Sequence, residues 1–118
     1  MNGGMSIHVV DVSRGIVASG MRIEVFAAGP ERHALCTGTI NHKGVLDDPV
    51  LMSEAITAGT YEVVFHVADY YRAAGVVLPA LPFLDVVNYR FAVGDTGQHY
   101  HLPMKLTPWG YSCFRGGA

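Results

Sequence analysis

Thr60-Tyr61-Glu62-Val63-Val64-Phe65-His66-Val67 decides the fold. Tyr61, Val63, Phe65 and Val67 fall on one side of an alternation, and Glu62, Val64 and His66 on the other. That is the period of a strand with one buried face. Gly59 stands before it. After it, Asp69-Tyr70-Tyr71-Arg72-Ala73-Ala74-Gly75 breaks the period. Asp69 can cap a first turn, Arg72 and the alanines are good helix formers, and Gly75 suits the residue after a helix. One short helix is predicted there.

Working outward, Ser6–Val12 is a strand with Ile7, Val9 and Asp11 facing one way and His8, Val10 and Val12 the other. Arg14-Gly15 and Ser19-Gly20 read as turns. Met21–Ala28 is a half-buried strand ended by Gly29-Pro30, and residues 33–40 form a weaker one. Asn41-His42-Lys43-Gly44 turns the chain. Pro49–Ser53 reads as a short edge strand, where proline is tolerated. Pro79 and Pro82 mark an extended loop before the strand Asp85–Val93. Gly94–Gly97 turns again, and Tyr100–Leu106 and Trp109–Phe114 are the last two strands. Seven or eight short strands with one helix read as an all-β sandwich in a single domain, residues 1–118.

Composition agrees. Half of the residues are hydrophobic and the formal net charge is −2, with no basic run. Nucleic acid and membrane are therefore not expected partners. The first residues carry no basic or apolar leader pattern, so a cytoplasmic location is expected. Cys36 and Cys113 stand far apart in no metal spacing and read as packed thiols.

The chemistry lies in the histidines. His33 and His42 fall in loop or turn contexts and read as solvated; His66 reads as a hydrogen-bonded sheet residue. His99 and His101 share a strand face, and His8 sits among β-branched residues. Three uses are open to this trio: zinc ligation with a water, general base catalysis near neutral pH, or structural hydrogen bonding. Arg115 offers a rigid fork of donors for an oxyanion or carboxylate, or is a solvated terminal charge.

These residues stand in a recognisable order. Ile7-His8-Val9-Val10-Asp11-Val12-Ser13-Arg14-Gly15, Ala58-Gly59-Thr60-Tyr61-Glu62 with Asp69-Tyr70-Tyr71, Pro82–Val87, and His99-Tyr100-His101-Leu102-Pro103 followed by Leu106–Ser112 span nearly the whole chain. The chain resembles the 5-hydroxyisourate hydrolases, the transthyretin-like proteins. The resemblance implies a sandwich of two four-stranded sheets with a short helix. It implies a homotetramer with sites where dimers meet, a small-molecule substrate, and no metal or organic cofactor. It places catalytic roles on His8, His101 and Arg115. Substrate contacts fall to His99, Lys43, Val45, Tyr111, Phe114 and Gly117.

Two departures stand out. The family ends in Tyr-Arg-Gly-Ser, and this chain in Phe114-Arg115-Gly116-Gly117-Ala118. Where the family carries an arginine after a turn, this chain has Val45 after Lys43-Gly44. The expectation is an acid–base enzyme for a small cyclic substrate, diverged from 5-hydroxyisourate itself. The other readings are a true 5-hydroxyisourate hydrolase, with Lys43 or His42 compensating, and a non-catalytic ligand binder.

Overall fold

The structure, a computed structural model, describes residues 3–117. Ala118 and the first two residues, over which the leader reading ran, lie outside it.

Eight strands and one α-helix follow the order β1 (Met5–Asp11), β2 (Ile16–Val17), β3 (Arg22–Ala28), β4 (Arg32–Thr39), β5 (Gly59–His66), α1 (Val67–Ala73), β6 (Val86–Val93), β7 (Tyr100–Thr107) and β8 (Gly110–Cys113). They form two four-stranded sheets, β2-β1-β7-β8 and β4-β3-β5-β6. The pairings are antiparallel except β1 with β7, which is parallel and joins the two ends of the chain. The expected two-sheet sandwich is what forms.

Alternation drives the packing. Met5, Ile7 and Val9 are buried along β1, Val63 and Phe65 along β5, and Leu102, Met104 and Leu106 along β7. These side chains fill the space between the sheets. Removing each from water contributes roughly 1.5–3 kcal/mol before chain entropy is charged against it. The intervening residues face outward, where a site can be built.

Asp11 is a charged residue inside that core, fully buried. Its carboxylate accepts from Ser13 Oγ at 2.6 Å, Tyr71 Oη at 2.8 Å and Tyr70 Oη at 2.9 Å. A buried carboxylate is tolerated when its lone pairs are satisfied in this way. The network ties the end of β1 to α1. Burial, with the Asp11 carboxylate beside it, pushes the Tyr70 hydroxyl up to about 12. Both phenols therefore stay protonated donors.

Three elements differ from expectation. Pro49–Met52 is a 3₁₀ turn, not an edge strand. The Asp48 carboxylate accepts from the Val50 N–H at 2.9 Å and Pro49 occupies the first helical position, a capped helical start. α1 begins at Val67, two residues before Asp69, which sits exposed in its first turn without capping it. Gly75 does take the left-handed conformation after it, at φ +86°. β2 is only two residues long, too short to leave a period in the sequence. Cys36 and Cys113 are free and half-buried, and burial pushes both thiols up to about 11.

Candidate active site

The parallel register of β1 and β7 sets Ser6 opposite His101 and His8 opposite Pro103. Ile7, Val9 and Leu102 point into the core. Ser6, His8, His101 and Pro103 therefore share the outer face.

Backbone closes this patch on both flanks. The turn at 41–44 lays the next residues along β1. The Val9 N–H donates to the Gly44 carbonyl at 2.9 Å and the Leu46 N–H to the Ile7 carbonyl at 3.1 Å. His8 is thereby bridged to Val45. Gly44 has φ +84°, and a Cβ there would lie 2.8 Å from His8 Nε2. Glycine is what the close approach requires. The Asn41 side chain accepts from the Lys43 and Val45 N–H groups at 2.9 and 3.1 Å, fixing the turn. Lys43 itself is exposed.

On the other flank the C-terminal segment runs beside β7. The Gly116 N–H donates to the His101 carbonyl at 2.7 Å. This pair continues the register that joins Met104 to Cys113 in β8. A Cβ on Gly116 would come within 3.0 Å of His101 Cδ2. The tail is thus a structural part of the histidine face.

The imidazoles are held differently. His101 Nδ1 lies 2.6 Å from Ser6 Oγ, and His99 Nε2 lies 2.8 Å from the same oxygen. His99 Nδ1 lies 3.0 Å from the Gly3 carbonyl. Both ring nitrogens of His99 are committed inside the chain, so neither is left for a substrate. Burial first, then the His8 and His99 rings, holds His101 below the ordinary histidine range. That direction favours the uncharged imidazole, the form a general base needs.

The remaining expected residues divide. The tail register sets Phe114 opposite Pro103, on the histidine side, and Gly117 opposite Tyr100. Arg115, between Phe114 and Gly116, faces the other way. Its guanidinium lies 4.0 Å from the Tyr100 ring centroid and donates to Gln98 Oε1 at 2.7 Å. Tyr111 pairs with Leu106 and takes that residue's face, away from the histidines. Within one chain, then, His8, His101 and Val45 come together, whereas Arg115 and Tyr111 stand apart from them. Ser6 is the residue sequence reading missed: a serine in an alternating strand gives no signal of its own. Among the described residues, no three His, Cys, Asp or Glu side chains are set to share a metal ion.

The chain is similar to known proteins along nearly its whole length. The family model described as HIUase/Transthyretin matches residues 5–116. A 5-hydroxyisourate hydrolase of Ralstonia nicotianae is 45% identical over 115 residues, 97% of this chain and 98% of that protein. The 5-hydroxyisourate hydrolase 2 of Rhizobium meliloti is 41% identical over 116 residues, 98% of this chain and 97% of that one. Among solved structures, a Klebsiella pneumoniae 5-hydroxyisourate hydrolase superposes with TM-score 0.80 at 25% identity, covering 98% of this chain and 99% of that chain. An (S)-allantoin synthase superposes with TM-score 0.91 at 31% identity, covering 98% of this chain but 44% of that longer one. Shared sequence along nearly the full length and a shared two-sheet architecture lead to one conclusion: the chain belongs to the HIUase/Transthyretin family, on the hydrolase side for which these relatives are named.

Proposed function

We propose that this HIUase-family enzyme opens the ring of a small cyclic substrate of the 5-hydroxyisourate type, with His101 as general base and His8 as its partner in proton transfer. The observation carrying this reading is the held His101 ring, fixed through Nδ1 at 2.6 Å from Ser6 Oγ, with His8 on the same outer face. In the reaction, His101 Nε2 takes a proton from water and the water oxygen attacks a ring carbonyl. The C–N bond then breaks and the imidazolium returns the proton to the leaving nitrogen.

Val45 argues that the substrate has moved away from 5-hydroxyisourate itself. It sits against His8, where the resemblance calls for an arginine. Loss of one donor to a developing oxyanion typically costs about 3 kcal/mol, a hundredfold or more in rate. The names of the curated relatives favour the second reading, a 5-hydroxyisourate hydrolase proper.

The face is open within one chain. Assembly as a homotetramer, with a second subunit across the histidine face, supplies its missing wall and a route for Arg115 to join a site. No helix of the described residues is long and apolar enough to cross a membrane, and a cytoplasmic place fits a small-molecule hydrolase of this kind.

Ultraviolet decay of freshly generated 5-hydroxyisourate tests the reading. Slow turnover by the native chain, raised about tenfold or more by Val45→Arg, is expected from the donor argument. Fast native turnover that Val45→Arg does not improve establishes the second reading. No turnover by either protein, on this compound or its ring analogues, overturns both.

A further inference from the structure

One hydroxyl lies between two imidazoles at the centre of the histidine face. Ser6 Oγ is within hydrogen-bond distance of His99 Nε2 and of His101 Nδ1. A hydroxyl has a single proton to give, so one of these bonds must run towards Ser6. The far end of the chain of bonds decides which. His99 Nδ1 faces the Gly3 carbonyl oxygen, and a carbonyl only accepts. His99 Nδ1 therefore carries the ring proton. In the neutral imidazole Nε2 is bare and accepts from the Ser6 hydroxyl. The Ser6 oxygen must then accept from His101 Nδ1–H. That leaves the His101 Nε2 lone pair free.

We propose that Ser6 is a positioning residue. Through the relay Gly3 carbonyl, His99, Ser6, His101, it fixes His101 as the tautomer with its proton on Nδ1 and its basic lone pair on Nε2. The catalytic meaning of this rests on the function proposed above; the tautomer itself does not depend on any substrate. A free imidazole exchanges between tautomers, so a base without a fixed partner is in the wrong form part of the time. Among the described residues, the titratable groups facing His101 are His8 on the neighbouring strand and His99 two residues before it. The tail segment packed on its other side contributes Gly116, and Arg115 is turned to the opposite face. The ring is oriented through the bond between its Nδ1 and Ser6 Oγ.

Nitrogen NMR of the full chain with labelled histidine, near neutral pH, reads the tautomer directly. In the native protein His101 is expected to be protonated on Nδ1 and bare on Nε2. In Ser6→Ala the two forms should mix, and in Ser6→Thr, which keeps the hydroxyl, the native form should persist. In turnover assays, Ser6→Ala should lower kcat by about tenfold, a part of the hundredfold or more that a positioned base is worth. KM should stay within about twofold, and Ser6→Thr should restore most of the rate. A native His101 protonated on Nε2 overturns the proposal, as does a Ser6→Ala protein with unaltered tautomer and kcat. If Ser6→Ala does not fold, the native spectrum and the Ser6→Thr rate decide. An Nδ1-protonated His101 in a protein whose turnover survives His101→Ala would leave the relay standing and remove the functional reading instead.

Discussion

Each sheet carries a half-buried histidine on its outer face, and the two have different partners. On the β4-β3-β5-β6 sheet, His66 Nε2 lies 2.7 Å from the Glu24 carboxylate. Around it Arg32 pairs with Glu62 at 2.6 Å and lies 3.6 Å from the Phe26 ring centroid. The His66 ring and the Arg32 guanidinium on that face each meet a carboxylate. On the other sheet His101 meets a hydroxyl, faces two more imidazoles and is flanked by glycine backbone. A carboxylate partner engages the His66 ring through Nε2. A hydroxyl partner engages His101 through Nδ1 and leaves Nε2 without a partner from Ser6. The cross-strand partner, not the strand, gives each histidine its role.

The sharpest way to break this contrast is to truncate both rings. His101→Ala should lower kcat by about a hundredfold or more, the usual worth of a positioned general base. His66→Ala should leave kcat within about twofold. Equal losses would show that the two faces are not chemically distinct. A smaller effect is expected from the glycine flank. Gly44→Ala combines a left-handed backbone with a Cβ 2.8 Å from His8 Nε2. It should cost about 1–2 kcal/mol of stability and also lower kcat by displacing His8. Gly15→Ala has a similar φ, +69°, but no neighbour within 4 Å. It should cost only the backbone share, about 1 kcal/mol, and spare activity. Urea unfolding and steady-state rates on the two variants separate strain from function.

The contrast was only half legible in the sequence. Alternation in β1, β5 and β7 put Ile7, Val9, Phe65 and Leu102 inside and the histidines outside, because side-chain period is a local property. Pro49–Met52 escaped because one carboxylate, Asp48, turned an extended-looking segment into a capped helical turn. His8 and His101 stand out as histidines near the two ends of the chain, whereas Ser6 does not stand out. Its value comes from the parallel pairing of β1 with β7, which sets it opposite a residue 95 positions away. Arg115 could not be assigned a face from sequence, since its orientation follows from the register in which the tail continues β8.

Acidification should sharpen the difference between the faces. His101 is held below the ordinary histidine value by burial and by two imidazoles. Activity should therefore survive down through the pH at which a free histidine charges, and fall below it. The unfolded chain takes up this proton at higher pH than the folded one. Stability from this group is thus lost as pH drops from the ordinary histidine value towards the folded one. A kcat limb at or above the ordinary histidine value would contradict the neutral base.

Glu24 has the opposite sign and the smallest effect. The bond from His66, with lesser help from Arg22 and Arg32, holds its carboxyl below the ordinary carboxylate value, against a partial opposing effect of burial. Its contribution is present above the ordinary carboxylate value and disappears as pH falls through the lower folded one. Glu24→Gln should remove it while keeping the side chain's shape. The pair is partly solvated, so the loss in urea unfolding near neutral pH should be about 1 kcal/mol at most. It should shrink to nothing in acid, where the native carboxyl is itself protonated. kcat should not change at any pH, because the pair sits on the opposite sheet from His101. A Glu24→Gln protein with a shifted activity profile would mean that the two faces are electrostatically coupled through the core. The separation of roles between His66 and His101 would then fail on the mildest substitution available.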